Sequence, residues 1–501
     1  MFIDMTIKNI KSIKELYFKI PLTPGLYAIT GENGSGKSTL VASAAGSFMN
    51  LPLVSHFGKA YPDARLDYKR ADMSRVYELR DGRWKPNAKG TLKINGFFEG
   101  SITFGKRFAD VDFGKLVLAR NIKKDDLQPA TDFIKYHLGD ILRKNSAYYD
   151  SLFILSESAK QRYQLRKSWY YYEVGGTLVN QLLMSTGENL LLSVLHSLEF
   201  NVNEYKKRKY DQPTLIILDE VEFALHSSSL RRLVYLLRKL SNEYNFTVIF
   251  STHSPELLRD IEPNNIYYMQ KLVDGQISIT NPCYPVFATK NLESSRSGYD
   301  FVIFVEDVLA EKMITELLKK NRLLGGKSVK VIPVGGYSQV IRFAYDAIQS
   351  NLMMTATKIL IILDQDIESN AKKFMKNEKI GFSNEPMYLP VQSIEKYLLT
   401  NLVNTVDIGL HQELESYVFQ GTPLKDLILS FTSKKESSDP IESGGGNKSF
   451  YSLLQQELRQ LKKDDTFLVD TLVEYLIRNN DENTMKLSES LKAILDSPNK
   501  V

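Results

Sequence analysis

The sequence predicts an α/β chain, with two parallel-sheet units in tandem and a helical C-terminal part. Three observations carry that reading. Residues 26–30, 214–218, Phe246–Ser251, Phe301–Val305 and Lys358–Leu363 are short, unbroken apolar runs, the pattern of strands buried on both faces of a parallel sheet. Helix-length segments separate most of them. A joint rich in Pro, Ser and Thr at 282–297 then interrupts the pattern before a second alternation begins, which sets the domain boundary.

In order along the chain, residues 2–19 alternate apolar and polar around a Lys-Ser turn and predict a hairpin. The strand at 26–30 runs into a glycine-rich turn, 31–37, and a helix from Ser38. Residues 51–167 read as an inserted α+β lobe, with Gly-rich, aromatic strands at 92–104 and helical segments at 129–145, and they carry no motif. The strand at 214–218 ends in Asp219-Glu220, a helix follows at 229–244, and Phe246–Ser251 ends in Thr252-His253. The second unit reads as strand 301–305, helix 310–320, strand 329–334, helix 339–350 and strand 358–363. Beyond Leu399 the chain reads as helical, broken by a polar, glycine-rich loop at 433–447. The expected domains are therefore 1–290, 298–400, and a helical region 401–501 that completes the second.

Composition excludes several classes. The 501 residues are 43% hydrophobic and 25% charged, with 64 Lys plus Arg against 59 Asp plus Glu, which is ordinary for a globular chain and not for a disordered one. One cysteine, Cys283, cannot form an intrachain disulfide. The N-terminus has charges where a signal peptide needs an apolar run, and no apolar stretch approaches the roughly 20 residues of a membrane span. A cytoplasmic location is expected. A net charge of +5 identifies no partner at this size.

Gly31-Glu-Asn33-Gly34-Ser35-Gly36-Lys37-Ser38-Thr39 fits the phosphate-loop pattern, between a strand and a helix as the mechanism requires. Glycines let backbone amides wrap phosphates at the helix N-terminus, Lys37 reaches the β and γ phosphates, and Ser38 offers its hydroxyl to magnesium. Asp219 supplies a carboxylate for the same ion, and Glu220 one that polarises the attacking water. Solvated acids at a strand end are the plain alternative.

With these residues in view, Ser185-Thr186-Gly187-Glu188, Glu222 to His226 and Ser251-Thr252-His253-Ser254-Pro255 resemble the ABC ATPase class in its RecF, SMC and Rad50-like branch. That resemblance implies that Ser185 and Gly187 contact the γ-phosphate held by an opposite protomer, and that His253 senses that phosphate. Ser185 also suits a helix cap. The glutamine expected to couple nucleotide to the inserted lobe has only Gln128 and Gln161 as candidates, and no long heptad array marks a coiled-coil arm.

In the second unit Glu306-Asp307 and Asp364-Gln365-Asp366 end strands of one parallel sheet, so their carboxylates share a rim, and oxygen ligands of this kind select magnesium or manganese. Glu306, the pair Gly335-Gly336 and Asp364-x-Asp366 resemble the Toprim fold, with Asp307 where a glycine is usual; Glu311 resembles the extra acid of the nuclease branch. An ABC ATPase followed by Toprim resembles the OLD (overcoming lysogenisation defect) family of ATP-dependent nucleases. That likeness also implies a late acid, Glu395, and a late lysine, Lys448. It implies ATP with magnesium, a two-metal site (manganese being an alternative) that cuts DNA, and a homodimer or higher oligomer through the ATPase heads. It further implies work in defence against phage beside a partner, either a retron reverse transcriptase with its DNA product or a second protein. The competing expectation is an ATP-switched DNA-binding or sensor protein whose Toprim unit is not catalytic. Lys206 to Lys209 and Lys434-Lys435 read as solvated charge runs or phosphate contacts, and Ser168 to Tyr172 as packing or a base-stacking surface.

Overall fold

The computed structural model describes residues 1–49, 57, 63–81, 83–86, 91–100, 122–165, 169–208, 213–289, 298–353, 357–435, 445–479 and 482–496. The chain divides into two compact units, Met1–Arg296 with the last two residues, and Ser297–Asn499.

Among its described residues, the first unit holds three sheets. Strands β1 (Phe2–Ile10) and β2 (Ile13–Pro21) form the hairpin, and β3 (Gly25–Gly31) leads into the glycine loop. Then come β4 (Arg65–Arg70), β5 (Met73–Arg80), β6 (Arg83–Pro86) and β7 (Gly96–Gly100). They are followed by β8 (Leu127–Pro129), β9 (Leu152–Leu155), β10 (Tyr170–Val174) and β11 (Thr177–Asn180). Last are β12 (Thr214–Asp219), β13 (Phe246–Ser251), β14 (Ile266–Lys271) and β15 (Ile277–Thr280). The principal sheet runs β15-β14-β3-β13-β12-β7 and is parallel except for β15. An antiparallel sheet, β2-β1-β4-β5-β6, and a smaller one, β11-β10-β9-β8, complete the unit.

Period-two alternation sends the side chains of the principal strands to two cores. Leu215, Ile217, Ile29 and Ile249 pack with the helix Lys37–Ala45 and with Ile3, Met5, Leu66 and Tyr68 of the antiparallel sheet. Ile216, Leu218, Ala28 and Phe250 pack on the other face, against the helices Asp132–Arg143, Thr186–Arg208 and Ser227–Tyr244. In the last of these, Leu230, Leu233, Val234, Leu237 and Leu240 recur at three- and four-residue spacing and are buried.

The inserted lobe expected at 51–167 is corrected here. Strands β4 to β6 extend the β1–β2 sheet, and β7 is the edge strand of the principal sheet, paired in parallel with β12. Phe97 and Phe98 divide between the two cores, and a Cβ at Gly96 would lie 2.3 Å from Leu215 O, so the glycine permits the pairing. The separate sheet is β8 to β11, which extends past 167 to Asn180.

In the second unit, β16 (Phe301–Val305), β17 (Val329–Pro333), β18 (Lys358–Leu363) and β19 (Met387–Tyr388) form a wholly parallel sheet, ordered β17-β16-β18-β19. Val302, Phe304, Ile361 and Leu363 pack on Val340, Ile341 and Ala344 of the helix Tyr337–Gln349. Helices dominate from Ile394 onward. No helix among the described residues is long and apolar enough to cross a membrane.

Candidate functional sites

The first site forms where β3 meets the helix Lys37–Ala45. Gly31, Gly34 and Gly36 have φ of 143°, 78° and 94°, values that glycine adopts without a Cβ penalty. At Gly31 a Cβ would lie 2.0 Å from Met269 O, so no other residue fits there. Ser35 is buried, Asn33 and Gly34 are exposed, and Thr39 is buried in the first helical turn. The Lys37 ammonium folds back over the loop and donates to Gly31 O at 2.9 Å and Glu32 O at 2.8 Å. Burial pushes it down to about 8, against the opposing pull of Glu220, Asp219, Glu222 and Glu32.

Asp219 is buried at the end of β12, and burial raises it to about 6, while hydrogen bonds from Ser251 and Ser38 oppose the rise. Its Oδ2 is shut off from solvent with no partner satisfying it. A buried, under-satisfied carboxylate oxygen beside the Ser38 hydroxyl is a donor set that fits magnesium. Glu220 follows with φ 53°, ψ 52°, and its N–H donates to Ser251 Oγ at 2.9 Å. His253 is half-buried, and desolvation, then Lys37, lowers it, which favours the neutral ring.

Ser185 caps the helix Thr186–Arg208. Its Oγ accepts from Glu188 N at 3.3 Å, while its own N–H and hydroxyl donate to Glu188 Oε2 at 2.9 and 2.7 Å. Tyr149 donates to the other oxygen of Glu188. Gly187 abuts the turn Val221–Ala224, where a Cβ would come within 2.7 Å of Ala224 O. The coupling-glutamine candidates are exposed, Gln128 on β8 and Gln161 on the helix Glu157–Arg162. Tyr170 and Tyr171 are buried, and Tyr170 shares a hydrogen bond with His196 Nδ1 at 2.8 Å, so packing accounts for them. Ser168, Lys209 and the side chains of Lys434 and Lys435 lie outside the described residues.

In the second unit, the ends of β16 and β18 bring acids together. Glu306 Oε1 accepts from Asp364 N at 2.9 Å. Burial, then the charges of Glu306, Asp307, Asp366 and Glu395, push Asp364 up to about 8. Glu306 and Asp307 are raised as well, both chiefly by burial. Asp307 caps the helix Val308–Lys320, accepting from Ala310 N at 2.9 Å, which gives this acid a structural reason. Glu395 sits in the first turn of the helix Ile394–Leu399.

Sequence reasoning missed two members of this neighbourhood. Lys396 donates to Asp366 Oδ2, while Asp366 Oδ1 is buried without a partner. Tyr451 is raised to about 12 by burial and by Asp465, Glu395 and Asp307, and stands one turn after Lys448 on the helix Gly445–Gln460. Lys396 carried a signal in its place beside Glu395; Tyr451 carried none. Lys448 itself is exposed. Glu311 does not join the acids acting on Asp364 but lines a groove of about 940 Å³ with Lys312, Asp470 and Glu474. Among the described residues no three His, Cys, Asp or Glu side chains stand as a ligand set for a metal ion. At the second site, the Lys396 ammonium supplies the positive charge beside Asp366.

The first site is that of a phosphate-loop ATPase: a glycine loop feeding a helix, a buried lysine and a paired acid on the strand two places away. Comparison with known proteins agrees. Residues 68–259 match the family model described as "AAA domain, putative AbiEii toxin, Type IV TA system", and residues 4–43 match one described as an AAA domain. The N-terminal unit therefore carries a P-loop ATPase domain of the AAA type. An uncharacterised protein of Dictyostelium discoideum is 26% identical over 187 residues, 37% of this chain and 22% of that one, so the match spans about a fifth of the relative's length. Among solved structures, the SMC head domain from Thermotoga maritima is 14% identical, covering 56% of this chain and 98% of that one, with a TM-score of 0.30. The Smc head domain of Pyrococcus furiosus bound to the C-terminal domain of ScpA is 14% identical, covering 59% and 99%, with a TM-score of 0.37. Likenesses this distant carry no argument about function.

Proposed function

We propose that the chain is an ATP-controlled, metal-dependent DNA endonuclease of the OLD type, acting in defence against phage. The observation that carries the reading is the convergence of Glu306, Asp364 and Asp366 on the rim of one parallel sheet, in a chain whose first unit is an ATPase domain. Asp364 held at about 8 marks a rim short of positive charge, and the buried, unpartnered oxygen of Asp366 is a donor awaiting a cation; both fit oxygen-ligated magnesium or manganese. Two such ions, when bound, would neutralise charge on a phosphodiester and activate water. Glu306, Asp364 and Asp366 would hold them, Glu395 stands beside the rim, and Lys448 would steady charge on the phosphate, while Glu311, on the separate groove, takes no part. In the ATPase unit, Lys37 and the loop amides grip the phosphates, Ser38 and Asp219 hold magnesium, Glu220 orients water and His253 senses the γ-phosphate. Ser185 and Gly187 complete the site of a second protomer, which makes a homodimer the working unit, and nucleotide state governs access to the rim.

The ion pair between Lys396 and Asp366, with no preformed ligand trio among the described residues, favours a second reading in which the rim is a non-catalytic docking module switched by ATP. Incubation of supercoiled plasmid with magnesium or manganese, with and without ATP, separates the two. The nuclease reading expects nicking or linearisation by wild type, loss in Asp364→Ala with Asp366→Ala, and a changed rate but retained cutting in Glu220→Gln. No cutting by a wild type that hydrolyses ATP supports the docking module.

A further inference from the structure

Successive residues at the end of β13 are tied to the acids at the end of β12 and in the turn after it. Ser251 Oγ donates to Asp219 Oδ1 at 2.5 Å and accepts from Glu220 N. Thr252 Oγ1 donates to Glu222 Oε1 at 3.0 Å, and His253 N donates to the same oxygen at 2.5 Å. Glu222 Oε2 is shut off from solvent with no hydrogen-bond partner. A carboxylate desolvated to this degree is costly unless it holds something in place, and what Glu222 holds is the backbone of His253, the residue given the γ-phosphate-sensing role above. Its own turn, Val221–Ala224, abuts Gly187, so Glu222 lies between the two segments assigned to the two nucleotide sites of a dimer.

We infer that Glu222 is the positioning residue of the ATPase: one oxygen fixes the His253 backbone, and the turn that contains it links that histidine to Gly187. The inference rests on the roles given above to His253 and Gly187. It makes a chemical demand that a merely structural acid would not. Both bonds to Oε1 need an acceptor and neither needs a charge, so glutamine suffices and alanine does not.

The test is steady-state ATP hydrolysis by the full chain, together with binding of a fluorescent ATP analogue, for wild type and for Glu222→Gln, Glu222→Ala, His253→Ala and the double alanine variant. Glu222→Gln is expected near wild type, whereas Glu222→Ala loses about 10- to 100-fold in kcat with nucleotide affinity little changed, the usual scale for removing a supporting hydrogen bond. The double variant is expected to fall no lower than His253→Ala, because the two residues act as one unit. Any dependence on ATP steeper than hyperbolic in wild type should flatten in Glu222→Ala. The inference is overturned by a Glu222→Ala enzyme that turns over like wild type, by a Glu222→Gln enzyme as slow as the alanine variant, or by losses that multiply in the double variant. A wild-type rate in His253→Ala would instead remove the role of His253, and the inference with it.

Discussion

Lys37 sets the pH dependence of nucleotide binding. Its ammonium is held at about 8 by burial, below the usual lysine value, and phosphates would raise it again. Near pH 7 the free protein already carries the Lys37 proton, so this group leaves affinity flat there, and any fall below pH 6 belongs to protonation of Asp219. Above pH 8 the proton must be taken up on binding, so affinity should fall toward about tenfold per pH unit. Titration calorimetry at pH 9 in two buffers of different ionisation heat should register that uptake, and an affinity constant from pH 7 to 9.5 would refute it. The loop around Lys37 was legible in the sequence because all its parts lie within nine residues. Lys396 against Asp366 was not, since that pair is made by the packing of segments 30 residues apart.

At the scale of elements, the helix Thr186–Arg208 has a cap whose serine is also proposed to reach another protomer. Ser185→Ala removes the Oγ that accepts from Glu188 N, which should cost about 1 kcal/mol. A thermal melt should record the loss as a drop of a few degrees. If Ser185 has no duty beyond the cap, ATP hydrolysis measured well below the melt stays at the wild-type rate; in the proposed trans role it falls at least tenfold. Strand β7 shows where local pattern runs out. Residues 92–104 read as strand from composition alone, yet membership of the principal sheet follows from pairing with β12, more than a hundred residues away. No local signal distinguished an inserted lobe from an edge strand of the main body. By contrast, the strands bearing Asp219, Glu306 and Asp364 were plain as buried runs that end in acids.

For the whole molecule, two units with separate hydrophobic cores should unfold in two transitions. Saturating ATP with magnesium raises the stability of whatever binds it by an amount set by concentration over Kd, about 2.7 kcal/mol at a hundredfold excess. Scanning calorimetry should therefore move one transition upward and leave the other within error, and Lys37→Ala should abolish the shift. A single transition, or two that move together, would mean that the units share their cooperativity. The joint at 282–297 was the sequence's sign of a division, yet Cys283 and Ala288 of it pack in the core of the first unit. That Asp307 is a helix cap was not legible, because the sequence shows only a second acid after Glu306.

β3, the strand that delivers the phosphate loop, has β13 on one side and β14 on the other. Its amides are thus paired away from any edge of the sheet, and in hydrogen exchange such positions open only with the global transition of their unit. Local fraying at the sheet's margins, at β7 or β15, would leave the base of the loop closed. As the unit is heated or attacked by a protease, the foundation of its nucleotide grip should be among the last structure to go, so bound ATP would report on the integrity of the whole unit and not on the state of one loop.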